Sequence, residues 1–214
     1  MTSSPRPPAF PNGLYLILDP ALSRFRSLDE IAQAALTEGV RMFQFRMKTP
    51  HTGELYDTAS RLASLITAAG GYCIVNDRCD VALAVGADGV HLGQEDLPLG
   101  EARAIVGQNV LIGVSTHNLA QALEAQAGGA DYIGFGPIFP SSSKTNPEPV
   151  VGIEGLREVR VRVRIPIVAI GGITAKNAAD VVAAGADGVA VISAILGAAD
   201  PKSAIAELVR IVGR

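Results

Sequence analysis

The chain has 214 residues, 48% of them hydrophobic, with 23 glycines and a formal net charge of −3. This length suits one α/β barrel or two small domains, and the slightly acidic balance gives no reason to expect nucleic acid or an anionic membrane as a partner. No apolar run approaches the roughly 18 residues of a membrane span. Cys73 and Cys79 have the spacing of neither a zinc pair nor a redox motif, so we expect both to be reduced and structural in a soluble, cytoplasmic protein.

Residues 1–13 are polar and proline-rich, which predicts a flexible tail and not a signal peptide. From Leu14 onward, short apolar runs alternate with amphipathic segments. The apolar runs begin near Leu14, Met42, Tyr72, Gly89, Val110, Tyr132, Ile165 and Gly188, and the amphipathic segments cover residues 27–37, 54–69, 79–85, 99–106, 118–128, 153–160, 174–184 and 202–212. Apolar strands that alternate with helices predict a parallel sheet, and eight such units are what a closed barrel requires. Because no linker divides them, residues 14–214 are predicted to form one (β/α)8 TIM barrel domain.

A Gly-Ala-Asp triplet connects a predicted helix to a strand three times, with the acids at Asp88, Asp131 and Asp187. The glycine ends the helix, and the small alanine lets the turn pack closely. Each triplet precedes its strand, which places the acid on the N-terminal rim of a barrel, away from the active site. We therefore expect these to be turn residues and not catalytic ones.

The second predicted strand carries polar residues at alternate positions, Gln44, Arg46 and Lys48. Alternate side chains of a strand share one face, and apolar residues occupy the positions between them. The outer face of a barrel packs against helices, so the polar set is expected to point inward, where it would need an anionic partner. A solvated edge strand is the alternative.

Acidic and amide side chains follow the next two predicted strands. Asn76 and Asp77 come directly after the third strand, and Asp96 follows the fourth. Because neighbouring parallel strands end at the same rim, the two carboxylates would lie within reach of one hard cation such as Mg²⁺. Each aspartate could instead cap the helix that follows it.

Histidine and serine also occur near this rim. His91 lies within the fourth predicted strand, Ser115 ends the fifth, and His117 follows it. A single histidine in a strand is more often a hydrogen-bonded interior group, and no ligand spacing links the two histidines. Ser115 could contact a substrate or cap the next helix, and without a histidine–aspartate arrangement it is not predicted to be a nucleophile.

Two segments near the C-terminus have the features of a phosphate site. Gly171-Gly172 follows the seventh strand, and Ile192-Ser193 ends the eighth. Barrels often bind phosphate with the loops after these two strands. The long stretch 139–151 after the sixth strand holds either an anion clamp or a flexible polar loop, with Ser141, Ser142, Ser143 and Lys144 in sequence.

Together these stretches resemble the thiamine phosphate synthase family. The matching segments cover nearly the whole chain in the family's order: QFRMK (44–48), ND (76–77), HLGQED (91–96), GVSTH (113–117), GPIFPSSSK (136–144), AIGGI (169–173) and VISAI (191–195). The resemblance implies a (β/α)8 barrel that joins 4-amino-2-methyl-5-(diphosphooxymethyl)pyrimidine to 4-methyl-5-(2-phosphooxyethyl)thiazole, releasing pyrophosphate with the help of Mg²⁺. The family usually has threonine where this chain has Ser141 and Ser143, which keeps the hydroxyl.

The resemblance also implies roles for individual residues. Asp77 and Asp96 would hold Mg²⁺, in a protein whose partners are small phosphorylated substrates and, as an open expectation, further copies of itself. The pyrimidine diphosphate would be bound by Gln44, Phe45, Arg46, Met47, Lys48, Asn76, Ser115 and Lys144. The thiazole phosphate would be bound by Ser141, Ser142, Ser143, Gly172, Ile192 and Ser193. Catalysis would fall to Arg46, Lys48, Ser115 and Lys144.

Other functions on the same fold are the alternatives. A thiazole tautomerase, with His117 as its base, or a non-catalytic thiazole-phosphate-binding regulator would need the phosphate site but no diphosphate clamp. A sugar-phosphate epimerase would bind its metal through histidines, which this spacing does not offer. The joint presence of Asp77, Asp96 and the basic set favours the synthase.

Overall fold

Eight parallel strands close on themselves in chain order, with β8 paired to β1. The computed structural model describes residues 10, 12–23, 26–48, 51–140 and 148–213. The strands are β1 Gly13–Leu18, β2 Met42–Phe45, β3 Tyr72–Asn76, β4 Gly89–Leu92, β5 Leu111–Thr116, β6 Tyr132–Phe135, β7 Ile167–Ile170 and β8 Gly188–Val191. The predicted (β/α)8 barrel is confirmed.

Helices follow the strands and surround the barrel. They are α1 Leu28–Thr37, α2 Thr52–Ala68, α3 Cys79–Ala84, α4 Leu99–Val106, α5 Leu119–Ala127, α6 Gly152–Arg162, α7 Ala178–Ala183, α8 Ser193–Leu196 and α9 Pro201–Val212. Two short elements were not predicted, the 3-10 helix Pro20–Leu22 and α8, because neither is long enough to show an amphipathic period. No helix among the described residues is both long and apolar enough to cross a membrane.

The predicted tail lies largely outside the described residues, so the division into a tail and one domain stays a prediction. Two of its described residues contact the barrel. Gly13 already pairs with Gly188 of β8. The Phe10 ring lies 4.8 Å from the Tyr132 ring, centroid to centroid.

The three Gly-Ala-Asp acids are structural, as predicted. In each case the carboxylate accepts a hydrogen bond from the backbone N–H at or near the start of the preceding strand, from Cys73 to Asp88 at 2.8 Å, for example. The other two acids repeat this contact and also pair with an arginine of the helix that comes before that neighbouring strand, Arg103 of α4 with Asp131 and Arg160 of α6 with Asp187. The motif fixes each strand to its neighbour on the N-terminal rim.

The apolar core has two layers that the sheet separates. The outer layer lies between strands and helices, and it includes both cysteines, which are buried and free. The inner layer fills the barrel, and its buried members are Tyr15, Ile17, Met42, Ile74, Leu111, Tyr132, Val168 and Ala190. Strand residues thus alternate between the layers, which is the pattern that barrel closure imposes.

Glycines on neighbouring strands leave room for the large rings inside the barrel. A Cβ atom on Gly113 would collide with the Tyr132 ring and would lie 2.5 Å from His91 Nδ1. A Cβ atom on Gly134 would lie 3.1 Å from His91 Cε1. The interior can therefore hold a tyrosine and a histidine side by side only because these two positions lack side chains.

Replacing Gly113 with alanine is expected to lower the free energy of unfolding by about 2 kcal/mol, the usual scale for overpacking a filled core. Gly100→Ala is the matched control, because an added Cβ there meets no atom within 4 Å, and alanine in α4 should raise stability by at most about 1 kcal/mol. Urea unfolding of both variants measures the difference. Equal stability of the two variants would contradict the packing argument.

Candidate active site

The second strand delivers two of its three predicted polar side chains, Gln44 and Arg46, to the barrel interior, whereas Lys48 lies at the rim with 63% of its side chain exposed. Gln44 is 4% exposed and lines an interior cavity together with Arg46. Phe43 and Phe45 pack in the outer layer. Strand β2 itself ends at Phe45, earlier than expected, although the Arg46 N–H still donates to the Leu18 carbonyl and keeps the guanidinium on the inner face.

Two members of the predicted pyrimidine diphosphate set point elsewhere. The Phe45 side chain is 1% exposed and is buried in the outer layer, on the far side of the sheet from the cavity. Met47 packs against the same layer while bordering a rim cavity beside Lys48 and Asp77. Substrate contact through the Phe45 side chain is therefore excluded by burial, and only its backbone remains available.

Arg46 is held by a buried acid that the sequence reading passed over. Asp19 follows β1, is 2% exposed, and forms an ion pair with the Arg46 guanidinium. Its second carboxylate oxygen accepts from the Ala21 N–H at 3.0 Å, which begins the 3-10 helix. Asp19 thus fixes one guanidinium nitrogen, while an arginine has further donors to offer to an anion.

Asp77 and Asp96 are not helix caps, which removes the alternative explanation for both. The N-cap residues of α3 and α4 are Arg78 and Pro98, and neither helix receives a side-chain cap. Instead, Asp96 accepts a hydrogen bond from the Gly93 N–H at 2.7 Å. The two carboxylates therefore face the rim between β3 and β4 and not the backbones of their helices.

Charge is concentrated at this rim. Burial, then a hydrogen bond to Asp96 and its negative charge, raise the pKa of the Asp77 carboxyl, and Lys48 opposes the rise. The Lys48 ammonium lies 3.4 Å from Asp77 Oδ2. Two neighbouring carboxylates beside one ammonium leave an excess of negative charge, which a bound cation would neutralise.

Asp77 is also conformationally unusual, with a backbone φ of 64°. Among the described residues, it is the only residue other than glycine with positive φ. Aspartate tolerates this region better than most residues, yet it still costs free energy. The conformation turns the chain sharply between β3 and α3 and keeps the carboxylate at the rim.

A continuous chain of hydrogen bonds crosses the barrel beneath this rim. Gln44 Nε2 donates to Tyr15 Oη at 3.1 Å, and Tyr15 Oη lies 2.8 Å from Tyr132 Oη. Tyr132 Oη lies 3.0 Å from His91 Nδ1, and His91 Nε2 lies 2.9 Å from Ser115 Oγ. The prediction that His91 is a hydrogen-bonded interior group is confirmed.

Ser115 does not cap the next helix, since the N-cap of α5 is Asn118. It lines both the interior cavity and a second cavity under the loops after β6, β7 and β8. His117 borders the second cavity, where its Nδ1 lies 2.6 Å from the Gly136 carbonyl oxygen. Ser115 therefore stands where the two cavities meet.

The predicted phosphate segments line this second cavity, among them Gly172, Ile192 and Ser193. Gly171 and Gly172 both have positive φ, and a Cβ on Gly172 would lie 2.5 Å from the Pro140 carbonyl oxygen. The glycine pair is thus needed for the close approach of the loops after β6 and β7. Ser193 does not end β8 as predicted, because that strand stops at Val191 and Ser193 begins α8.

The cavities join across the mouth. Asn76 lines both the interior cavity and the rim cavity beside Asp77 and Lys48. Ser115 links the interior cavity to the one beside Gly172. Three compartments therefore follow one another: a charged one, a polar interior one, and a glycine-lined one. The predicted clamp of Ser141, Ser142, Ser143 and Lys144 lies outside the described residues.

Sequence reasoning missed Tyr15 and Tyr132 as well as Asp19. Both tyrosines sit in apolar strand runs and look like ordinary core residues. Their partners are remote, with Tyr15 and Tyr132 117 positions apart. Gly113, opposite Tyr132 in the β5–β6 register, leaves room for the Tyr132 ring, but that register is not visible in the sequence.

Comparison with known proteins agrees with this architecture. A family model described as thiamine monophosphate synthase matches residues 14–195. The thiamine-phosphate synthases of Chloroflexus aurantiacus and Methanospirillum hungatei are each 50% identical to the chain, over 195 and 184 residues; the alignments cover 91% and 86% of this chain and 90% and 89% of those proteins. A solved thiamine phosphate pyrophosphorylase from Pyrococcus furiosus is 43% identical, with a TM-score of 0.84 over 93% of this chain and 94% of that one.

The match is not confined to the residues of the mouth. It begins within β1 and ends within α8, so it includes all eight strands. The resemblance inferred from the motifs is confirmed, and so is the enzyme class that it implied. The chain belongs to the thiamine monophosphate synthase family.

Proposed function

We propose that the charged compartment holds Mg²⁺ and the diphosphate of the pyrimidine substrate, and that the reaction proceeds through loss of that diphosphate. The observation that carries the proposal is the pair of neighbouring carboxylates, Asp77 and Asp96, beside Lys48. Among the described residues no three acidic, histidine or cysteine side chains group as a metal cage. Two carboxylates suit Mg²⁺ well, because it usually takes one or two from the protein and completes its shell with water and substrate phosphate.

The cations of the mouth supply the rest of the leaving-group stabilisation. Bound Mg²⁺ would neutralise charge on the departing diphosphate. Arg46 lines the interior cavity, and Lys48 lines the rim cavity. Asn76 lines both cavities. Fixed donors aimed at developing negative charge are the largest single contribution in many enzymes. Lys144, outside the described residues, enters this set through the family resemblance alone.

The chemistry requires no strong base from the protein. An electron-rich aminopyrimidine can carry positive charge on its methylene carbon, so the diphosphate can depart before attack. The thiazole nitrogen is already a nucleophile. This agrees with a mouth in which Ser115 is hydrogen-bonded to His91 and not activated by a histidine–aspartate pair.

The second substrate is proposed to bind in the glycine-lined compartment, with its phosphate near Gly172, Ile192 and Ser193. Close backbone approach is the property that glycine gives to such loops. Ser115, at the junction, would then meet the pyrimidine next to the attacking ring. Phe45 enters the proposal only through its backbone groups, whereas Met47 borders the charged compartment. The cytoplasmic location and a homo-oligomeric assembly stay predictions from the sequence.

The direct test is turnover with both purified substrates at increasing Mg²⁺, with release of pyrophosphate as the readout. The proposal expects no measurable rate without a divalent cation. A tautomerase or a regulator of the same fold would release no pyrophosphate. Titration calorimetry should show pyrophosphate binding that depends on Mg²⁺, and metal-independent binding would contradict the metal site.

Asp77→Asn is expected to reduce turnover at least about 100-fold, the scale for losing one charge stabiliser. The substitution keeps the shape of the side chain and removes its charge. Asp80→Asn is the matched control, because Asp80 lies three residues on, is exposed, and pairs with Arg78 at 2.6 Å. The control should keep turnover within about twofold, since exposed ion pairs contribute little. Near-normal turnover of Asp77→Asn at the same Mg²⁺ would refute the assignment.

Asp19→Asn is expected to lower the free energy of unfolding by roughly 2 kcal/mol, because it leaves Arg46 without its buried counter-charge. The partial exposure of Arg46, 20%, keeps the loss below that of a fully buried pair. Asn still accepts from the Ala21 N–H, so the 3-10 helix should persist. Asp29→Asn, which breaks an exposed pair with Arg61, should cost less than about 1 kcal/mol. Urea unfolding compares them, and equal losses would show that Asp19 does not position Arg46.

A further inference from the structure

We infer that Tyr15, Tyr132 and His91 are positioning residues that make Ser115 a hydrogen-bond donor toward the interior cavity. The hydrogen-bond chain from Gln44 to Ser115 can be polarised in only two ways, and its donors and acceptors select one of them. The inference rests on the proposed function only in naming the pyrimidine substrate as the ligand that Ser115 contacts. The polarity of the chain itself is a property of the protein without substrate.

The polarity begins at Gln44. Its amide nitrogen has only protons to offer, so the contact with Tyr15 Oη makes that oxygen an acceptor. The orientation is favoured by Arg46, which lines the same cavity and also has only donors. Turning the amide nitrogen toward Tyr15 leaves the amide oxygen for the cavity that holds the guanidinium.

The two tyrosine hydroxyls then donate in the same direction, away from Gln44 and toward His91. Tyr15 Oη has Gln44 and Tyr132 as its hydrogen-bond partners among the described residues, so its proton goes to Tyr132. Tyr132 Oη, having accepted that proton, directs its own to His91 Nδ1. Burial raises the pKa of both phenols, so both keep their protons.

His91 is therefore fixed as one neutral tautomer. A proton on Nδ1 would face the proton of Tyr132 across a 3.0 Å contact, so the imidazole accepts at Nδ1 and carries its proton on Nε2. Nε2 then donates to Ser115 Oγ at 2.9 Å. His91 is 8% exposed, so both ring nitrogens have protein partners in a largely buried setting.

Ser115 receives this hydrogen bond and keeps its own proton for the cavity that it lines. A hydroxyl that must donate recognises an acceptor, such as a ring nitrogen of an aminopyrimidine. With the opposite polarity Ser115 would donate to His91 and could not donate to a ligand. The serine hydroxyl, which could otherwise donate or accept, is thus fixed as a donor by Tyr15, Tyr132 and His91.

The tautomer is tested directly by nitrogen-15 NMR of the ligand-free protein. His91 signals are identified by their loss in His91→Gln, which separates them from those of His51 and His117. The inference expects a neutral ring with the proton on Nε2 and an unprotonated Nδ1. A ring with the proton on Nδ1, or a doubly protonated ring at neutral pH, overturns it. This measurement needs no substrate and no activity.

The consequence for binding is tested with Tyr132→Phe, which removes one hydroxyl and keeps the ring packed against Phe10 and Tyr15. The expected result is a rise of about tenfold in KM for the pyrimidine diphosphate, the upper range for one neutral hydrogen bond. The KM for the thiazole phosphate and Mg²⁺-dependent pyrophosphate binding should stay within about twofold. The NMR spectrum of this variant should show His91 in a mixture of tautomers.

Tyr72→Phe is the matched control, because Tyr72 packs against the same inner layer but is not a member of the hydrogen-bond chain from Gln44 to Ser115. It should leave both KM values and the His91 tautomer unchanged. If Tyr132→Phe behaves like Tyr72→Phe, the inference is wrong while the proposed function stands. If the wild-type protein shows no turnover, the proposed function fails, and the tautomer measurement still decides the polarity of the chain.

Discussion

A closed eight-stranded barrel can hold polar side chains in its interior only where each polar atom finds a partner. Here no buried side-chain nitrogen or oxygen among the described residues lacks one. Apolar side chains such as Met42, Leu111 and Val168 fill part of the interior, and Tyr15, His91 and Ser115 of the hydrogen-bond chain line the interior cavity. That constraint ties the site to the fold, because each member of the chain comes from a different strand. The site cannot form before β1, β2, β4, β5 and β6 have closed against one another.

The charged residues at the C-terminal mouth of the barrel form two separate groups. Arg46 has a buried acid of its own in Asp19, whereas the exposed ammonium of Lys48 pairs with Asp77, which has Asp96 as a second acidic neighbour. The first pair is balanced in the absence of ligand. The second group carries an excess of one negative charge, which would favour binding of a cation. A bound cation would in turn attract a diphosphate. The net charge of the whole chain, −3, conveys nothing of this arrangement.

The sequence predicted what local periodicity controls. Alternation in residues 44–48 predicted that Gln44 and Arg46 face inward, and the amphipathic segment that starts at residue 27 predicted α1, whose N-cap Ser27 accepts from the Glu30 N–H. It did not predict contacts that depend on strand register around the closed barrel. Tyr15 and Tyr132 could not be paired from the sequence, since their meeting depends on the shear of all eight strands. The left-handed backbone of Asp77 was equally hidden, because no local signal distinguishes it from a cap.

The same residue type shows how position relative to a strand decides its role. Asp88, Asp131 and Asp187 stand just before strands, where an unpaired backbone N–H of the neighbouring strand is within reach, and each carboxylate binds one. Aspartates that stand after strands have other partners: Asp19 pairs with Arg46, Asp77 lies 3.4 Å from the Lys48 ammonium, and Asp96 accepts from the Gly93 N–H. Under the proposed function, Asp77 and Asp96 are the pair that would hold the cation. On the N-terminal rim, aspartates thus stabilise the barrel by binding backbone N–H groups. On the C-terminal rim, where the active sites of such barrels lie, aspartates are available for chemistry.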